Sequence, residues 1–105
     1  MKKKHSVLVA GLYIFLFIPL LAFAQQNAKD LYEAGRSFQI RQEYYKAVEN
    51  YKLALLENEH YLGPLIGLAE SFFQLKEYSE SLKWVQKAEI YDQHLTSLKI
   101  LKGRI

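Results

Sequence analysis

At 105 residues, with 14 basic and 11 acidic side chains and no cysteine, the chain has room for one small domain that no disulfide can staple. Lys2, Lys3 and Lys4 hold three of the positive charges at the extreme amino terminus, so residues 25–105 carry 11 charges of each sign. That balance excludes a nucleic-acid binder of the ordinary kind, because phosphate recognition draws on a net or clustered positive surface.

The amino terminus is composed for export. Met1 to Lys4 is a positive n-region, Val7 to Phe23 is an uncharged apolar run, and Ala22-Phe23-Ala24 is a small-residue cleavage site ahead of Gln25. Residues 1–24 therefore read as a signal peptide, contacting the membrane only transiently. An uncleaved anchor facing the periplasm is the alternative, since 17 apolar residues are long for a signal core and short for a span. Pro19 and Gly11 favour cleavage because both weaken a continuous helix. The remaining domain, 25–105, is expected in the periplasm of a bacterial envelope or outside the cell.

Five amphipathic helices are expected from there. Asn27 is placed to cap the first, with Asp30 in its positive first turn, and the helix runs to about Arg41 with Leu31, Ala34, Gly35 and Phe38 on one face. Gln42-Glu43 turns the chain into a second helix from Tyr44 to Glu57, with Ala47, Val48, Tyr51, Ala54 and Leu55 inward. Asn58 suits a left-handed helix end. Gly63-Pro64 opens the third helix with proline at its first position, and Leu65, Leu68, Ala69 and Phe72 form its buried stripe. Lys76-Glu77 leads to a fourth helix, Tyr78 to Tyr91, with Ser79 able to cap it and Ser81, Leu82, Val85 and Ala88 inward. A fifth follows from Thr96, its stripe being Leu95, Leu98, Leu101 or Lys102, and Ile105.

The helices are copies of one unit. Displacing the sequence by 34 positions aligns Leu31 with Leu65, Ser37 with Ser71, Phe38 with Phe72, Glu43-Tyr44 with Glu77-Tyr78, Ala54 with Ala88 and His60 with His94. A generic helix bundle would share the apolar spacing but has no reason to repeat the polar residues. The pattern resembles the tetratricopeptide repeat in Leu31, Gly35, Phe38, Ala47, Tyr51 and Ala54, and again in Leu65, Ala69, Phe72, Ser81, Val85 and Ala88. The opening Trp and closing Pro of that family are missing, with Leu31 and Leu65, and Glu59 and Gln93, in their places. The resemblance implies an all-α solenoid of two helix-turn-helix repeats, 28–61 and 62–95, followed by a capping helix or partial third repeat at 96–105. Gly103 falls one period beyond Ala69.

No nucleophilic elbow, phosphate loop or zinc motif occurs, so neither catalysis nor a cofactor or metal is expected. His60 and His94 lie one period apart in the links between repeats and read as solvated side chains. The resemblance implies a protein- or peptide-binding adaptor whose groove is lined by the first helix of each unit. Carried onto this chain, that face holds Lys29, Tyr32, Arg36, Gln39, Ile40, Ile66, Glu70, Phe73 and Gln74. Lys29 and Arg36 would anchor an acidic group there. Tyr32, Ile40, Ile66 and Phe73 lie beside the core stripe, so packing within the repeat remains open for them. The alternative function is a structural or self-associating module, or the front of a longer array, working through the exposed face of the last helix.

Overall fold

This computed structural model describes residues 27–105, so the signal-peptide reading of residues 1–24 falls outside the described residues. The first helix, α1, covers residues 27–40 of that region. It is followed by α2 (Tyr44–Glu57), α3 (Leu62–Gln74), α4 (Tyr78–Tyr91) and α5 (Thr96–Arg104). The described residues contain no strand, and none of their helices is long and apolar enough to cross a membrane.

Each helix packs on the next through the stripe that its periodicity defines. Ala47, Val48, Tyr51, Leu68 and Phe72 form one cluster, with Tyr32 and Phe38 of α1 against it. Leu65, Ala69, Val85, Ala88, Leu98 and Leu101 form the next, so α5 closes over α3 and α4. Trp84 is half-buried and bridges both clusters, with Lys87 Nζ 4.4 Å from its ring centroid. Leu101, not Lys102, continues the α5 stripe. Lys99 and Lys102 are exposed at the positions where α3 buries Leu65 and Leu68, and Lys102 pairs with Glu89 at 3.3 Å.

The backbone repeats as the sequence does. Glu43 N–H donates to Phe38 C=O at 2.9 Å and Gln42 N–H to Gln39 C=O at 3.0 Å; one period on, Glu77 donates to Phe72 and Lys76 to Phe73, both at 3.0 Å. These paired bonds are Schellman closures, which need one left-handed residue. Gln42 (φ 63°) and Lys76 (φ 62°) supply it, although neither is glycine. The links between units match too: Asn58 Oδ1 accepts from His60 N–H at 3.2 Å, and Asp92 Oδ1 from His94 N–H at 3.1 Å.

Several sequence expectations are corrected at the helix ends. Asn27 is itself helical and so does not stand at the cap position, whereas the end of α1 at residue 40 agrees with the expected end near Arg41. Asn58 is extended (φ −148°), not left-handed, and its side chain accepts from His60 N–H across the link; the left-handed residues stand in the turns after α1 and α3 instead. Pro64 is the third residue of α3, where its missing N–H still costs no helical bond, since the first turn's donors are unpaired anyway. Ser79 makes no capping bond; Glu77 occupies the cap position. Gly103 has open space around its α-carbon, unlike Ala69, which is fully buried one period earlier.

Candidate functional site

The site begins with how closely α1, α2 and α3 approach one another. Tyr51 points from α2 between Gly35 and Gly67 and is fully buried. A β-carbon at Gly35 would stand 2.6 Å from the Tyr51 ring, and one at Gly67 2.5 Å from it, so each glycine is a seat for the aromatic face. The cost of glycine inside a helix, about 1 kcal/mol, is the cost of that seat. At the ring's edge the Tyr51 hydroxyl donates to Gln39 Oε1, and Gln39 Nε2 donates to Glu70 Oε2 at 2.8 Å. Burial, with the nearby Tyr32 and Glu70 adding to it, pushes the Tyr51 hydroxyl well above its ordinary pKa, while Arg36 opposes the shift. Tyr51 therefore stays a neutral donor, and the relay fixes Glu70 to the face of α3.

Above this relay lies a cleft of about 340 Å³, lined by Tyr32, Arg36, Gln39, Ile40, Tyr51, Gly63, Ile66, Gly67 and Glu70. Tyr32 gives it an aromatic wall, with its ring 5.2 Å from that of Tyr61 and 5.9 Å from that of Tyr51. Burial, then Tyr32 and Glu33, raise the Tyr61 pKa. A second cleft of about 360 Å³ continues along the same face, lined by Gln39, Tyr44, Glu70, Phe73, Gln74, Ser97, Ile100, Leu101 and Arg104. Gln39 and Glu70 belong to both, so their hydrogen bond is the sill between them.

The second cleft is the first displaced by one period. Adding 34 to Arg36, Gln39, Ile40, Gly63, Ile66, Gly67 and Glu70 gives Glu70, Phe73, Gln74, Ser97, Ile100, Leu101 and Arg104, all of which line it. Of the nine groove residues expected from sequence, eight line one cleft or the other. Lys29 lines neither; it is exposed, two turns before Arg36 on α1. The four apolar residues divide. Ile40 is 75% exposed, whereas Tyr32, Ile66 and Phe73 both face a cleft and pack against the core clusters. Ser97, Ile100 and Arg104 were missed because the groove was read from α1 and α3 alone; carrying the period forward from Gly63, Ile66 and Glu70 finds them.

Elsewhere, a mainly apolar hollow of about 330 Å³ involves Leu55, Trp84, Lys87, Ile90 and Tyr91. His60 is exposed but not isolated: its Nδ1 lies 2.8 Å from the Tyr91 hydroxyl and its Nε2 3.3 Å from Glu59. Among the described residues no group of three histidines or carboxylates is placed to hold a metal ion. No protein-family model matches the chain, and no curated protein is significantly similar to it.

Proposed function

We propose that the chain is a tetratricopeptide-type α-solenoid that works as an exported adaptor, holding a peptide or protein segment across the face formed by α1, α3 and α5. One observation carries the reading: a cleft of nearly constant size recurs one sequence period along a single face, with seven of its nine lining positions equivalent. A recurring cleft suits a ligand that is itself repetitive along its length, as an extended or helical chain is, better than it suits a small metabolite. The aromatic and aliphatic walls supply desolvated contact, and the arginines at the margin supply orientation. Binding without chemistry is the proposed activity, and the envelope is its proposed location, from the composition of residues 1–24.

Ile40 is the cleanest test because it is exposed and lines the first cleft without belonging to a core cluster. An Ile40→Asp variant of the full chain should keep its melting temperature and lose the partner that the parent captures from envelope extract. Capture that persists at full strength would overturn the groove reading.

The second reading, a structural or self-associating module, is favoured by apolar surface outside the first cleft. Leu56 is 82% and Ile90 72% exposed, one period apart on α2 and α4, and Ile100 is 54% exposed on α5. Light scattering on a size-exclusion column separates the two readings. Self-association that survives Ile40→Asp supports the module.

A further inference from the structure

The position occupied by Arg36 in α1 is occupied by Glu70 in α3 and Arg104 in α5, exactly two sequence periods from end to end. All three residues line the clefts, Arg36 the first, Arg104 the second and Glu70 both. The chain has three arginines. Arg41 is paired with Glu43 at 3.2 Å and sits over the Phe38 ring, whereas Arg36 and Arg104 are exposed and make no ion pair among the described residues. Glu70 is held in place by Gln39. The face therefore carries charges in the order plus, minus, plus, the central one held by Gln39, among mostly apolar and uncharged polar side chains.

We infer that the groove selects an extended peptide segment with a carboxylate side chain at each end and uncharged, apolar residues between, bound by Arg36 and Arg104 and screened at its centre by Glu70. The inference rests on the groove reading above and adds the chemistry of the occupant. Guanidinium forks bind carboxylates in two-point contacts, while a third carboxylate placed over Glu70 meets like charge. Successive helix layers lie about 10 Å apart, so the arginines are spaced by roughly 20 Å, which an extended chain at about 3.3 Å per residue covers in about six residues. Glu70 thus acts against ligands that are merely acidic, which is how a charged groove gains selectivity rather than general stickiness.

Fluorescence polarisation on the full chain tests this with three amidated, fluorescein-labelled eight-residue probes. One has glutamate near each end with leucine and phenylalanine between, the second has glutamine at those ends, and the third adds a central glutamate. The first should bind at least about tenfold more tightly than the second, with the advantage falling as salt is raised and vanishing in an Arg36→Gln/Arg104→Gln variant of unchanged melting temperature. The third should bind more weakly than the first, and Glu70→Gln should remove that penalty. Equal binding of the first two probes, abolished by Ile40→Asp, would overturn the charge register and leave the groove reading standing. Absence of binding by all three would overturn both.

Discussion

Two layers of this molecule solve one packing problem with different volumes. In the first, Tyr51 of α2 is large and its neighbours on α1 and α3 are Gly35 and Gly67. In the second, the equivalent positions one period on are Val85 flanked by Ala69 and Leu101, which lie together in one buried cluster. A large centre with two empty flanks has become a medium centre with two filled ones. Interiors are packed to near-crystalline density, so bulk removed at one position returns at its neighbours. The exchange also affects the clefts: the buried Tyr51 backs the first beside Gly67, whereas Leu101 lines the second and Val85 does not.

Removing the centre of the first layer is the most damaging way to break this comparison. Tyr51→Ala should cost about 3–5 kcal/mol, a large share of the stability of so small a domain, and thermal melts followed by circular dichroism would show it. Adding volume against an intact centre comes next. Gly35→Ala or Gly67→Ala should destabilise by about 1–3 kcal/mol despite alanine's better helix propensity, because the ring is trapped between the two seats and cannot retreat. The combined change Gly35→Ala, Tyr51→Val and Gly67→Leu imports the second layer's solution and should recover most of what Tyr51→Val alone loses. A triple variant no more stable than Tyr51→Val would show that the layers are not interchangeable. It should also fill the first cleft.

Two buried serines sharpen the comparison further. Ser81 Oγ donates to Ala69 C=O at 2.7 Å, tying α4 to α3, whereas Ser71 Oγ is buried without a partner. Ser81→Ala should cost about 1 kcal/mol and Ser71→Ala nothing measurable, or a slight gain, in chemical denaturation. The turns predict a gain of similar size. Gln42→Gly and Lys76→Gly should each stabilise by about 1 kcal/mol, since glycine adopts the left-handed conformation without steric cost. The smallest effect is confined to alkali. A tyrosine whose folded pKa is raised holds its proton more tightly when folded, so its contribution is complete below the unfolded value of about 10 and is lost as pH rises through the folded value. Stability of the parent should fall above that pH more steeply than that of Tyr51→Phe, measured in parallel denaturant titrations.

The elements themselves were legible in the sequence. The bounds of α2 and α4 agree with the reading from spacing, and of the residues read as inward Ala47, Val48, Tyr51, Ala54, Ser81, Val85 and Ala88 are buried while Leu55 and Leu82 are half-buried. Helix ends were read less well, for a specific reason. The turns fall at Gln42-Glu43 and Lys76-Glu77, where the spacing put them, but their left-handed residues are Gln42 and Lys76, which have no intrinsic preference for that backbone, while Asn58 is extended and Ser79 makes no capping bond. Of the residues lining the two clefts, Tyr32, Arg36, Gln39 and Ile40 of α1 and Ile66, Glu70, Phe73 and Gln74 of α3 were named for the groove from the sequence, whereas Tyr44, Tyr51, Gly63, Gly67 and the α5 residues were not.

Period, helix count and the stripes of α2, α3 and α4 were determined by the sequence alone, because helical amphipathicity is written in neighbours three and four residues apart. Ile105, expected on the α5 stripe, is exposed where the chain runs past the last packed layer. Only the tertiary structure decided that Tyr51 lies between two glycines, that Phe73 both packs and faces a cleft, and that Arg36, Glu70 and Arg104 share one surface. Those facts depend on volume and direction across three helices, between residues separated by whole helices in the chain. No local pattern encodes them; they are set when the layers close on one another.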